Sequence, residues 1–245
     1  MLVVTVLGLG AWFVLGASAP GDGQARLRPG AAEETFAMAR QEMIDDQLRR
    51  RGIDDPKVLA AVAEVPRHRF VPTEYRAEAY GDHPLPIGRG QTISQPYIVA
   101  LMAQVLEARP GQRVLEIGTG SGYNAAVLSK LFDRVYSIEI VEPLGRRAAA
   151  TLAELGYDNV EVRIGDGYAG WPEEAPFDAV ILTAAPPEVP DALLGQVAMG
   201  GRLVAPLGVE EQKLVVLTRT PRGWQRREIL PVRFVPMTGR VSEGS

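Results

Sequence analysis

Apolar residues follow two rhythms along the chain. From Ala31 to Arg51 they are spaced among Ala, Glu, Gln and Arg, with neither proline nor glycine, and Met43, Ile44, Gln47 and Leu48 mark one partly apolar stripe of a helix. Gly52 supplies a stop. Asp55-Pro56 reads as a cap followed by proline at the first helical position, and Val58, Leu59, Val62 and Val65 carry that helix to Pro66. Residues 66–90 hold four prolines and three glycines among charges and read as turns. A third helix starts at Gln95-Pro96, with Ile98, Leu101, Met102, Val105 and Leu106 on its buried face.

After Gly111 the rhythm changes. Short apolar runs, Arg113–Ile117, Val135–Ile138, Val160–Ile164, Phe177–Thr183 and Arg202–Ala205, alternate with helical stretches at Tyr123–Leu131, Pro143–Leu155 and Pro190–Met199. Strands alternating with helices predict βαβ units on a parallel sheet with right-handed crossovers. Beyond Gly208 two strands follow without helices, Lys213–Thr218 and Trp224–Phe234, which predicts an antiparallel finish at one sheet edge. The expectation is an α/β protein whose sheet carries helices on both faces. Residues 31–110 form a helical N-terminal part, and residues 111–245 the core with its C-terminal strands.

The first 30 residues stand apart. Leu2 to Ala17 is almost wholly apolar, and no charge precedes Asp22. The run ends in Ala17-Ser18-Ala19, a small-x-small pattern like a signal-peptidase site, before the linker Pro20-Gly21-Asp22-Gly23. No Lys or Arg precedes it, which a signal peptide would call for. Three readings stand: a signal peptide, a membrane anchor, or an upstream extension with the true start at Met38 or Met43.

Composition removes several chemistries. A net charge of −4 on 245 residues offers no basic surface for nucleic acid. There is no cysteine, hence no disulfide, thiolate nucleophile or cysteine metal site. The two histidines, His68 and His83, lie far from patterned carboxylates, so no metal site is expected; both read as turn residues, exposed or packed, rather than as bases. Trp171 and Trp224 read as packing residues, and Arg146-Arg147 and Arg226-Arg227 as solvated faces.

The candidate chemistry starts at Glu116-Ile117-Gly118-Thr119-Gly120-Ser121-Gly122, which follows the first core strand and opens a helix. Glycines there permit positive φ and close approach of a ligand, and ligands of open α/β sheets sit at such strand ends. A dinucleotide fingerprint wants a third small residue three positions after its second glycine; that position is Tyr123, the third glycine arrives early at Gly122, and Glu116 before the loop is a further departure. Glu139 ends the second core strand, about 20 residues beyond the loop, where a carboxylate can accept from both hydroxyls of a ribose. Asp166, in Gly165-Asp166-Gly167 after the third, is placed to accept from an adenine amino group, with a backbone N–H serving a ring nitrogen. Adenine, ribose and no pyrophosphate imply S-adenosylmethionine (SAM), held by Glu116, Gly118, Thr119, Gly120, Gly122, Glu139, Asp166 and Gly167. An NAD-dependent oxidoreductase is the rival.

Four segments resemble the signatures of protein-L-isoaspartate (D-aspartate) O-methyltransferases: Pro86–Pro96 with Gly90-Gln91-Thr92-Ile93-Ser94-Gln95-Pro96, Val114–Tyr123, Thr183-Ala184-Ala185-Pro186-Pro187, and Arg233-Phe234-Val235-Pro236. The glycine loop is shared by many methyltransferases, whereas the Gly90–Pro96 stretch is much more specific. The resemblance implies a Rossmann-like, SAM-dependent, mostly cytosolic enzyme that methylates the free carboxylate of L-isoaspartyl, and secondarily D-aspartyl, residues in damaged proteins, initiating repair through a succinimide. S-adenosylhomocysteine is the other product. It makes Ser94 the active-site serine, places Thr92 and Ile93 beside the methyl group and carboxylate, and has Thr183 and Val235 shape the peptide groove. A competing reading has Thr92 and Ser94 merely cap the helix at Pro96. The expected partners are isoaspartyl proteins and peptides, on a monomer, with no nucleic acid and with membrane contact only through Leu2–Ala19. That segment leaves an exported or anchored form open beside the cytoplasmic one. A methyltransferase with another acceptor and a non-enzymatic SAM-binding protein are the remaining alternatives.

Overall fold

A parallel sheet buried on both faces needs strands that are apolar without alternation, and the run Ala179–Leu182, buried throughout, has this character. The computed structural model describes residues 31–240, so the readings of Leu2–Ala19 and of the start site lie outside the described residues. The strand order of the main sheet is β5-β4-β3-β6-β7-β8-β9. It comprises β3 (Arg113–Ile117), β4 (Arg134–Glu139), β5 (Val160–Ile164), β6 (Phe177–Leu182), β7 (Val197–Leu207), β8 (Gln212–Thr220) and β9 (Gly223–Val232). Pairings from β5 through β7 are parallel; β7–β8 and β8–β9 are antiparallel, so the expected edge is present.

Alternate residues of the strands feed two cores. Val114, Val135, Ala179, Ile181 and Val204 pack with α2 (Pro56–Glu64), α3 (Pro96–Leu106) and α4 (Tyr123–Ser129). Leu115, Ile117, Tyr136, Ile138, Val180 and Leu182 face the other way, against Trp171 and against Leu193 of α6 (Asp191–Gly195). Helix α5 (Glu142–Glu154) buries Leu144, Ala148 and Leu152 beside β4 and β5. Among the described residues no helix is long and apolar enough to cross a membrane.

The N-terminal helix is helical over its expected length, but its winding changes. Helix α1 (Ala31–Glu42) passes into a π-helical turn at Met43–Leu48, which buries Met43, Ile44 and Leu48, then into a 3-10 turn ended by Gly52 at φ +87°. Asp55 caps α2 by accepting from the Lys57 N–H at 2.8 Å. His68 is a packed turn residue: it is buried, its ring stacks on Phe36 at 4.1 Å, and Nδ1 lies 2.9 Å from the Tyr80 hydroxyl. Trp171 is buried under Tyr136, whereas Trp224 keeps 37% of its surface exposed. Arg147 is exposed but donates to the Ile87 carbonyl.

Two expectations are corrected. The helix Pro190–Met199 is only the five residues of α6, and Val197–Met199 belong to β7. Val197 is fully buried in register with Phe177, so sheet pairing overrides local preference. Gly201 permits the bulge that follows, because a Cβ there would lie 2.7 Å from the Asp178 carbonyl oxygen. The turn-rich stretch 66–90 also hides a hairpin, β1 (Leu85–Gly88) with β2 (Gln91–Ile93), whose turn runs through Gly88, Arg89 and Gly90, all at positive φ. Strands of four and three residues are too short to show a period.

Candidate functional site

The carboxyl ends of β3, β4 and β6 open into one cleft, and each supplies a different part of it. After β3 the chain turns through Gly118 (φ +100°), whose N–H donates to the Ile138 carbonyl at 2.8 Å. Thr183, just past β6, donates its hydroxyl to the Gly118 carbonyl at 2.5 Å; a Cβ on Gly118 would stand 2.3 Å from the Thr183 hydroxyl oxygen. The Thr183 hydroxyl therefore secures the glycine loop, while the residue itself still borders the groove predicted for it. Glu139, 5% exposed at the end of β4, accepts from the Gly120 N–H at 2.7 Å and the Val141 N–H at 2.8 Å. Each oxygen retains acceptor capacity toward the cleft.

The predicted cofactor residues divide by position. Gly118, Thr119, Gly120, Glu139 and Gly167 line the cleft. Gly122 lies at the N-cap of α4, behind the loop, where an added Cβ would press at 3.3 Å on Ala148 and Leu152. Asp166 is beside the cleft rather than in its lining; its carboxylate accepts from Tyr168 N–H at 2.9 Å and Arg240 N–H at 2.8 Å. Glu116 is fully buried beneath the loop, accepting from Ser137 Oγ at 2.5 Å and Asn124 Nδ2 at 2.7 Å. Burial drives its carboxyl up to about 7, against the lowering by those two hydrogen bonds and with a further push from Glu139.

Thr92, Ile93 and Ser94 come from β2 and the residue after it, and all three line the cleft. Ser94 is half-buried, and no described residue is hydrogen-bonded to its hydroxyl. The N-cap of α3 is Gln95, without a side-chain cap bond, so capping does not account for Thr92 and Ser94. A second groove opens on the outer side, between Tyr97 and the chain from Leu230 to Val235. Thr92, Ser94, Thr183 and Val235 border both spaces and form the wall between them. Val235 is held there by an extended segment: Ala185 N–H donates to its carbonyl at 2.8 Å, and Met237 N–H returns to the Ala185 carbonyl at 2.8 Å.

Sequence reasoning missed three groups of contributors. Ser137 and Asn124 hold Glu116; a serine inside the apolar run Val135–Ile138 was the available signal. Met237 and Thr238 line the cleft from the C-terminal segment. An ion pair of Arg51 with Asp82 at 3.0 Å, Gln95 donating to Asp82 at 2.8 Å, and the Arg51 guanidinium 3.6 Å above the Tyr97 ring brace the chain that follows Ser94. Such contacts join segments far apart in sequence and leave no local pattern.

The lining matches a cationic, adenosine-containing ligand. Among the described residues its charged side chain is Glu139, and no Lys or Arg lines it to neutralise a pyrophosphate. Gly167 packs tightly against this lining, where a Cβ would be 2.5 Å from the Ile117 side chain.

Comparison with known proteins agrees with this geometry. Residues 38–242 match the family model described as protein-L-isoaspartate(D-aspartate) O-methyltransferase. The chain is 57% identical over 198 residues to a protein-L-isoaspartate O-methyltransferase of Gloeobacter violaceus, covering 80% of this chain and 97% of that one. It is 55% identical over 218 residues to one from Synechococcus sp., covering 86% and 89%. Among solved structures, a protein-L-isoaspartate O-methyltransferase superposes with a TM-score of 0.76 at 31% identity, over 82% of this chain and 67% of that one. A Plasmodium falciparum protein assigned to the same class, in complex with S-adenosyl-L-homocysteine, gives a TM-score of 0.70 at 27% identity, over 81% and 98%.

Proposed function

Because the chain belongs to the protein-L-isoaspartate(D-aspartate) O-methyltransferase family, we propose that the inner cleft holds S-adenosylmethionine and that the outer groove presents the carboxylate of an isomerised aspartyl residue across the wall between them. The enzyme transfers a methyl group from S-adenosylmethionine to the free carboxylate of L-isoaspartyl residues. D-aspartyl residues are the secondary acceptor. The ester then closes to a succinimide and reopens partly as normal aspartate.

When bound, the cofactor supplies an electrophilic methyl group on a sulfonium. The acceptor carboxylate has a pKa of about 3–4 and is ionised at neutral pH, so no general base is needed. What remains for the protein is alignment and exclusion of water. Charge is neutralised as the methyl group moves, so a strong cation on the acceptor would favour the ground state over the transition state. A neutral donor avoids this, and the reading gives that task to Ser94, with Thr92 and Ile93 flanking the acceptor and Val235 shaping the groove. Glu139 accepts from the ribose hydroxyls, and Gly118, Thr119, Gly120 and Gly167 bring backbone to the ligand. Glu116 and Gly122 act from beneath and behind the loop. Asp166 reaches the adenine amino group with its remaining acceptor capacity, beside the backbone donors it already binds.

The observation that carries the reading is the Ser94 hydroxyl, without a hydrogen-bond partner among the described residues, in the wall common to both spaces. On this reading the protein acts as a monomer. Cofactor supply puts its place of action in the cytosol. Methanol release from isoaspartyl peptides, compared with aspartyl peptides of the same sequence and with a SAM-free control, tests it. Turnover confined to the isoaspartyl peptide with SAM is expected; equal turnover of both peptides, or transfer only to another acceptor, overturns it.

A further inference from the structure

Beneath the glycine loop lies an acid that the transfer chemistry does not use. Glu116 sits at the penultimate position of β3 with no exposed surface. Its carboxylate takes the Ser137 hydroxyl at 2.5 Å and the Asn124 amide at 2.7 Å, and the Ser137 hydroxyl lies 2.6 Å from that of Thr119 in the loop. A hydroxyl has one proton to give. When Glu116 is ionised, Ser137 gives it its proton and Thr119 gives its own to Ser137, so both hydroxyls then point at the carboxylate.

Among the described residues the neighbouring elements bring no cation to it. From β4 come Ser137 and, two residues on, Glu139; from α4 comes Asn124; from β6 the residue in register is the apolar Ile181. Glu139 is the ionisable group that bears on it, and it is a second acid. A buried carboxylate with aligned donors and no cation is costly, and it gains most from a positive charge placed nearby where water is excluded. Asn124 and Thr119, which belong to this hydrogen-bonded group, also line the cleft.

We propose that Glu116 makes the cleft discriminate by charge between cofactor and product, its carboxylate favouring the sulfonium of S-adenosylmethionine over the neutral thioether of S-adenosylhomocysteine. The inference rests on the functional reading above. The two molecules differ by one methyl group and one charge, so adenine, ribose and amino-acid contacts cancel in the comparison. Methyl transfer removes the charge that Glu116 favours and leaves the product over two acids, which promotes its release. Because burial holds the Glu116 carboxyl near 7, binding of the cation also expels its proton.

The test is calorimetric titration of S-adenosylmethionine and S-adenosylhomocysteine into wild type and Glu116→Gln. At pH 8 the substitution is expected to cut the preference for the sulfonium about tenfold, by weakening S-adenosylmethionine alone. In the wild type the preference rises by a similar factor from pH 6 to pH 8, with proton release on S-adenosylmethionine binding at pH 7; in Glu116→Gln it is flat. Ser137→Ala keeps the acid but removes a donor, so the rise moves to higher pH. That variant and the wild-type pH series decide the matter if Glu116→Gln does not fold. Equal weakening of both ligands, or a preference independent of pH in the wild type, overturns the inference and leaves Glu116 a packing residue. Failure of the wild type to bind either ligand overturns the functional reading as well.

Discussion

At Ser94 the chain keeps a half-buried hydroxyl with no protein partner among the described residues, in the wall between cleft and groove. A hydrogen bond to a charged group is worth about 1.5–3 kcal/mol, so Ser94→Ala should lower kcat on an isoaspartyl peptide by about 10–100-fold. S-adenosylmethionine affinity, measured by calorimetry, should stay within a few-fold. Unchanged turnover would remove Ser94 from the reaction. Glu139→Ala should instead weaken S-adenosylmethionine binding, because the cleft loses its charged lining side chain and the Gly120 and Val141 N–H groups lose their acceptor. Glu116 makes a prediction about stability. Its carboxyl is raised from 4.5 to about 7 by burial, so the folded state holds the proton more tightly than the unfolded state. That contribution is full below about pH 4.5 and is lost as pH rises through about 7, a span of about 3 kcal/mol. Urea denaturation of the ligand-free protein should show this decline, and Glu116→Gln should remove it. At this scale the strand-end acids were legible, because the rule that places ligands there is positional. The division between Glu139 in the lining and Glu116 beneath it was not, since the sequence spacing does not state which face each side chain takes.

The elements nearest the site show how local signals reach their limit. The Leu85–Ile93 hairpin carries Thr92 to the cleft and leads directly into Ser94, yet it lies in a stretch that reads only as turns. Its anchor is Ile87, which is fully buried, packs toward the glycine loop near Gly120, and has its carbonyl bound by Arg147. Ile87→Ala should cost about 3 kcal/mol in denaturant unfolding. It should also lower turnover, since the hairpin holds Thr92 and feeds Ser94. A stability loss with turnover intact would show that the hairpin does not position that wall. The shortened helix α6 teaches the complementary lesson. Pro190–Met199 has an acceptable helical composition, but Val197 gains more in register with Phe177 than in another helical turn. By contrast α2 and α3 begin where their Pro56 and Pro96 placed them, because a helix start is set by residues adjacent in sequence.

Across the whole molecule, the cleft joins distant stretches: residues 91–94, the glycine loop, the β4 and β6 ends, and the C-terminal segment from Val235 to Thr238. Ligand that bridges them should stabilise the fold as a unit. At about 100 times its dissociation constant a ligand adds about 2.7 kcal/mol, which for a domain of this size raises Tm by about 5–10 °C. S-adenosylmethionine should produce that shift in a thermal melt, while NAD should leave Tm unchanged. A shift with NAD would reinstate the dinucleotide reading. What the sequence determined by itself was whatever neighbours in the chain decide: the alternation that makes a parallel sheet, the early third glycine that disfavours a dinucleotide, and the acids at strand ends. Only the tertiary structure decided which residues share a wall, how Thr183 secures the loop through Gly118, and that Ser137, Asn124 and Thr119 close around Glu116. Those relations depend on register and packing between segments far apart in sequence, which no local spacing encodes.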